Sequence, residues 1–225
     1  MAKILFVLID LENRLPSHER PRFLSRIDHT SLLKSPEGVL EKMVRDWQPT
    51  NGPPKIGFDS FLNDIEDLGR FRIVANFLSD MILIRNTLLE AYKGNEVSPT
   101  EAQKALHDEF ILKGNCMEDL VTVKPDERKK GERCCKCVFY PRKEELQRCK
   151  VEVQILTQLQ EAWDKKDHFL IYEPRRRGEP IDLQDEIEIF SMSELLYVAD
   201  LTFERLKKGV IERRQRKGER NAPSG

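Results

Sequence analysis

The run Val151-Glu152-Val153-Gln154-Ile155-Leu156-Thr157 sets a carboxylate and a carboxamide at alternate positions of an otherwise apolar segment. As a strand it turns Val151, Val153 and Ile155 one way and Glu152, Gln154 and Leu156 the other. A half-exposed strand reads the same way, but a carboxylate on a cleft wall can also hold a divalent cation or take a proton. Three further segments put charge where chemistry can use it. Lys34 precedes a helix start and Lys42 lies two turns in, where orphan N–H groups and the helix dipole favour an anion. A solvated helix face accounts for that pair equally well. In Asp67-Leu68-Gly69-Arg70-Phe71-Arg72 the two arginines share one face of the strand that follows. That arrangement is costly in a core and natural beside a base or a phosphate. Finally, His168 stands beside Asp167 and ahead of Arg175-Arg176-Arg177, a run that is either a solvated loop or a grip for polyphosphate.

Composition limits the setting. With 225 residues, 39% hydrophobic and 34% charged, the chain can build a core under a heavily charged surface. A net charge of -1 gives no global pull toward nucleic acid or anionic lipid, so any basic site is local. No stretch approaches the roughly 20 apolar residues of a membrane helix. The short run Ile4–Ile9 is followed by Asp10, Glu12 and Asn13 rather than a cleavage site. These features predict a soluble, cytoplasmic protein without a membrane partner. Five cysteines predict reduced thiols. Cys134-Cys135-Lys136-Cys137, with Cys116 and Cys149, contains enough sulfur for a zinc site, but strand alternation splits Cys134 from the other two.

The elements that must position these residues follow from periodicity. Residues 1–28 form one or two helical segments, although Ile4–Ile9 fits a strand as well. Ser35 caps a helix whose first turn holds Pro36 and whose face carries Val39, Leu40, Met43 and Trp47; a loop over residues 50–54 ends it. A helical stretch from Phe58 to Asp67 leads to a strand over Arg70–Phe77. Ser79 caps the next helix, which Gly94 follows, and Ser98 starts another that runs to about Leu112. Strands are expected over 119–124, 133–140 and 149–156, then a helix after Thr157, a loop over Pro174–Pro180, and a long helix over about Asp185–Arg214. The tail from Arg216 has a disordered composition. This order predicts an α/β (α+β) fold, a small mixed sheet flanked by helices.

Taken in order, Lys34–Met43, Asp67–Val74, Val151–Thr157 and Trp163 through His168 to Tyr172 resemble the lysine-bearing helix, the D-x-x-G-x-R strand entry, the E-x-Q-x-R-T strand and the W…H-x-L-x-Y segment of the RelA/SpoT synthetase domain. The resemblance is strongest to its single-domain members, the small alarmone synthetases. It spans residues 25–214 and implies a nucleotidyltransferase-like core over 29–180, a helical segment over 1–28, a C-terminal helix over 181–215 and a tail over 216–225. It further implies ATP-dependent transfer of a β,γ-pyrophosphate to the 3′-hydroxyl of a purine nucleotide, giving a (p)ppGpp- or (p)ppApp-type alarmone of the stringent response, with Mg²⁺.

Carried over by position, the resemblance gives Lys34, Lys42, Arg70 and Arg72 to ATP, and Glu152 and Asp119 to the metal and catalysis, Glu152 acting as metal ligand or base. Gln154 and His168 fall to the acceptor, and Arg133, Lys136 and Arg175 are candidates to supply positive charge for it where the family pattern is missing. Three positions depart from the pattern, one of them Arg70, which replaces a usual glycine. Glu132 stands where a base-stacking tyrosine is usual, and Leu156 where the strand carries an arginine. An adenine nucleotide, the 3′ end of tRNA as in toxin-like branches, or a non-catalytic nucleotide sensor are the alternatives these departures leave. A homo-oligomer through the C-terminal helix is expected from its apolar residues, among them Leu195, Val198, Leu201 and Leu206.

Overall fold

Alternation along the central strands decides which residues become core. In the computed structural model, residues 2–17, 20–28, 32–47, 56–57, 60–93 and 98–220 are described. They form a sheet in the order β1 (Leu24–Asp28), β2 (Gly69–Ala75), β6 (Val151–Thr157), β5 (Cys135–Pro141) and β3 (Phe110–Leu112), with β4 (Glu118–Asp119) also pairing with β5. β2 and β6 run parallel and every other pair is antiparallel. Phe71, Ile73, Cys135, Cys137, Phe139, Val153 and Ile155 are all buried in one cluster. Helices α1 (Ala2–Arg14), α5 (Leu78–Glu90) and α6 (Glu101–Glu109) close over that face through Ile4, Val7, Met81, Ile84 and Leu106. The fold is thus the mixed α/β architecture expected, with the long helix α9 (Leu183–Arg220) completing it.

Several elements differ from expectation for identifiable reasons. The ambiguous run Ile4–Ile9 lies within α1, where Ile4, Val7, Leu8 and Leu11 recur at helical spacing and are buried. β1 went unforeseen because it is an edge strand with no alternation, its middle residues Ser25 and Arg26 being exposed. The helix begun near Ser98 is capped by Thr100, in a capping box with Gln103, and ends at Glu109. Phe110–Leu112 then pair with β5 instead of continuing it. The strand expected over 119–124 stops at Asp119, because Asp119 Oδ1 accepts hydrogen bonds from the amides of Val121 and Thr122 and turns the chain. The helix expected over 58–67 is a single turn, α4 (Phe61–Asp64). Phe77, not Ser79, occupies the N-cap of α5, and the Ser79 amide donates to Glu204 of α9 instead. In place of a loop from Pro174, helix α8 (Glu173–Arg176) accommodates that proline in its first turn. α9 runs through the expected end near Arg214 to Arg220. Residue 58, Gly94, the 50–54 loop, the Trp47 side chain and residues 221–225 lie outside the described residues.

α9 inverts the usual amphipathic rule. Its inward side presents Ser193, Asp200 and Glu204, while Leu195, Val198, Phe203 and Leu206 on the outside are exposed, Leu195 by 62%. Cys134, Cys135 and Cys137 are buried and Cys116 and Cys149 exposed; burial pushes the three inner thiols up. Among the described residues no helix is long and apolar enough to cross a membrane.

Candidate active site

The register of three strands lays out the floor of a cleft. Arg70 pairs with Glu152 and Arg72 with Gln154 across the parallel β2–β6 ladder, and Gln154 pairs with Lys136 across β5–β6. Because the odd-numbered neighbours on β2 and β6 point into the core, these five side chains emerge together on the opposite face. They floor a cavity of about 920 Å³. Lys34 and Lys42 wall it on the β2 side, and Lys129, Lys130 and Glu132 on the β5 side. Helix α7 (Gln158–Asp167) and the π-helix His168–Tyr172 that extends it complete the rim with Trp163, Asp164, Asp167, His168 and Tyr172.

Local structure explains why these side chains point where they do. Ser35 Oγ accepts from the Gly38 amide at 3.1 Å and so starts α3 (Pro36–Trp47). That start leaves Lys34 just outside the helix and Lys42 on the same side two turns on. Gly69 lets β2 approach β6 closely, since a Cβ there would meet Val151 Cγ2 at 3.0 Å and the Lys150 carbonyl at 3.2 Å. Thr157 closes β6 and caps α7 in a capping box with Gln160, which sets Asp164 and Asp167 over the sheet. The π-helical turn brings the His168 and Tyr172 rings to 4.9 Å at 30°.

Hydrogen bonds fix the floor as a relay. Gln154 Nε2 donates to Glu152 Oε1 at 2.6 Å, and Gln154 Oε1 accepts from Arg72 Nη2 at 2.8 Å. Arg72 then reaches Asp164 at 2.9 Å. Beside it, Asp67 gathers three cations: Lys34, Lys42 at 2.8 Å and Arg70 at 2.9 Å. Burial alone would raise the Asp67 pKa, but hydrogen bonds from Lys34 and Lys42 outweigh it and hold the carboxyl far below the usual range. Burial lowers Lys34, with Arg70 and Lys42 adding to the effect against the opposing pull of Asp67.

A group whose folded pKa is depressed stabilises the fold above its unfolded pKa and ceases to as the pH falls through the folded one. Asp67→Asn is therefore expected to flatten the loss of stability below about pH 4. Urea midpoints measured across the acid range check this, and parallel curves for both proteins would refute it.

The structure brings together Lys34, Lys42, Arg70, Arg72, Lys136, Glu152, Gln154 and His168 around this cavity. It does not bring Asp119, Arg133 or Arg175 there. Asp119 pairs with Cys135, whose neighbour on β6 is Ile155. That parity turns the Asp119 carboxylate to the side opposite Glu152, where it meets Arg85 of α5. Arg133 is buried against Asp200 at 3.3 Å, with its guanidinium 4.8 Å from the centre of the Tyr197 ring. Arg175 turns outward to Glu186 of α9, while Arg176 lines the cavity and joins Glu41 of α3. Leu156 is buried. Reading the sequence singled out neither Asp67 as a site carboxylate nor Asp164 and Lys130 as lining residues, and named Arg176 and Tyr172 only within longer segments. An acid two residues before the glycine that opens a basic strand was the available signal for Asp67.

No protein-family model matches this sequence, and no curated protein matches it either. Solved structures do. Small alarmone synthetase 1 from Bacillus subtilis bound to its product pppGpp superposes with a TM-score of 0.60 at 17% identity, over 91% of this chain and 85% of that one. A GTP pyrophosphokinase family protein from Streptococcus pneumoniae gives 0.59 at 17% identity, over 93% and 91%. Small alarmone synthetase 2 from Bacillus subtilis gives 0.56 at 18% identity, over 92% and 97%. The chain has the small alarmone synthetase fold. The cavity of this chain carries Glu152 on its floor with basic residues on either side of β6.

Proposed function

We propose that the protein is a nucleotide pyrophosphokinase that moves the β,γ-pyrophosphate of ATP to the 3′-hydroxyl of a purine nucleotide. The observation that carries this reading is the cleft itself: the Glu152 carboxylate on its floor, between two walls that carry lysines, on a fold shared with a synthetase bound to pppGpp and to AMPCPP. Phosphoryl-type transfer asks a protein mainly for positioning and charge neutralisation, and this cleft is rich in both.

In the proposed reaction the acceptor 3′-oxygen bonds to the β-phosphorus, the bond from that phosphorus to the α,β-bridging oxygen breaks, and AMP leaves. Lys34 and Lys42 hold donor phosphates, exchanging part of their contact with Asp67 for the ligand. Arg72, held flat by Gln154 and Asp164, offers a guanidinium face to the donor base. Mg²⁺, when bound, neutralises charge on the transferring phosphates. Such ions are commonly held by one or two carboxylates together with substrate phosphates and water. Glu152, facing the cavity, fits that donor set as a single protein carboxylate, whereas both Asp67 oxygens are taken by Lys34, Lys42 and Arg70; among the described residues no group of three or more metal-ligating side chains forms. Glu152 serves as that ligand or accepts the hydroxyl proton. The exposed outer face of α9 supports the accompanying expectation of self-association.

Incubating purified protein with labelled ATP and Mg²⁺ against GDP, GTP, AMP, ADP and tRNA in turn tests the reading. A labelled nucleotide product is expected. Product on tRNA alone would replace the acceptor by a nucleic-acid end, and nucleotide binding with no product would make the protein a sensor.

A further inference from the structure

We infer that Lys130 is the residue that receives a phosphate group of the acceptor nucleotide, an inference that rests on the pyrophosphokinase reading of the same cleft. Every other lysine and arginine lining the cavity is already paired. Asp67 takes three of them, and Asp164, Glu118, Glu132 and Glu41 take one apiece. Lys130, among the described residues, makes no hydrogen bond or ion pair through its side chain; Asp167 is the charge that feels it. An exposed ammonium at a basic wall with no hydrogen bond or ion pair among the described residues is available to an incoming anion.

The backbone beneath it points the same way. Lys130 sits at φ 54°, ψ 28°, in the left-handed region, and Gly131 follows at φ 81°. A glycine would hold the first position without steric cost, whereas a lysine there is strained. Such conformations persist where surrounding structure enforces them and are concentrated at ligand sites. The enforcement is visible. Ser193 Oγ of α9 donates to the Gly131 carbonyl at 2.5 Å, and a Cβ at Gly131 would meet Ser193, Phe190 and Trp163 at 3.1–3.3 Å. The Lys130 amide donates to Glu127 and that of Gly131 to Asp126. The loop is clamped, so Lys130 is held at the rim with a side chain that is free to choose its anion.

Its position selects which anion. Lys34 and Lys42 lie on the β2 side of Glu152 and Lys130 on the β5 side. With the donor phosphates on the first wall, the phosphates of the acceptor lie toward the second, where a charge-assisted contact to an ammonium is strong.

The test compares GDP with guanosine and ADP with adenosine as acceptors, using full-length wild type, Lys130→Gly and Lys130→Arg. Glycine suits the same backbone, so folding is preserved while the charge is lost. The KM for the nucleoside diphosphates is expected to rise about tenfold or more in Lys130→Gly. The KM for ATP and for the unphosphorylated nucleosides should stay within about twofold, and Lys130→Arg should recover most of the loss. An unchanged KM for both diphosphates, or an equal rise for nucleosides, overturns the role of Lys130 alone. Wild type that transfers to none of these acceptors overturns the pyrophosphokinase reading, and the Lys130 role with it.

Discussion

Glu152→Gln is expected to lower kcat for pyrophosphate transfer by about 10²–10⁴-fold, the range associated with losing a positioned acid or base. The substitution keeps the shape of the side chain and an oxygen to accept the 2.6 Å bond from Gln154. What it removes is the negative charge, and with it both roles open to Glu152. The loss therefore belongs to the transition state, and KM for ATP should move far less than kcat. Stability should barely change, because Glu152 sits on the cleft face of β6, half-buried, and makes no ion pair among the described residues. Steady-state kinetics with a thermal melt of each protein check both halves. A variant that keeps a tenth or more of wild-type kcat would remove Glu152 from the chemistry. A melt lowered by more than roughly 3 °C, about 1 kcal/mol in a domain of this size, would mean the strand depends on it structurally.

Asp200→Ala is expected to destabilise the fold by about 3–5 kcal/mol. Arg133 and Asp200 are 2% and 5% exposed along their side chains. Asp200 also accepts from Thr157 Oγ1 at 3.1 Å and Gln160 Nε2 at 3.3 Å. Burial raises the Asp200 pKa and lowers that of Arg133, each against the pull of the other. Desolvation thus exceeds attraction on both sides, and Arg133 Nε has no partner among the described residues. A pair of this kind contributes little net stability while intact and costs heavily when broken, because the surviving charge stays buried. Adding Arg133→Met to Asp200→Ala should accordingly recover a large part of the loss in denaturant melts. A double variant no more stable than the single one would show that the network, and not the stranded guanidinium, sets the cost. The site depends on this contact too. α9 bonds Trp163 through the Ile189 carbonyl at 2.8 Å and Gly131 through Ser193, so loosening Asp200 frees two residues that shape the cavity.

Much of the site was legible because it follows from local rules. Period-2 alternation in Val151–Thr157 and Arg70–Ile73 separates core from cleft residues wherever the sheet lies, so Glu152, Gln154, Arg70 and Arg72 were read correctly as one face. Ser35 with Pro36, and Thr157 with Gln160, mark helix starts by side chain alone. Edge strands carry no such signal. β1 exposes Ser25 and Arg26, and Phe110–Leu112 became a strand only because β5 offered a free edge.

The sequence by itself determined which side chains share a strand face and the starts of the helices after Ser35 and Thr157, since both depend on neighbours a few residues away. Tertiary structure decided which of two nearby candidates reaches the cleft: Asp67 rather than Asp119, Arg176 rather than Arg175, Lys130 rather than Arg133. Each choice turns on pairing parity, on a helix continuing through Pro174, or on α9 claiming a buried arginine. Those are contacts between segments far apart in the chain, and no local spacing encodes them.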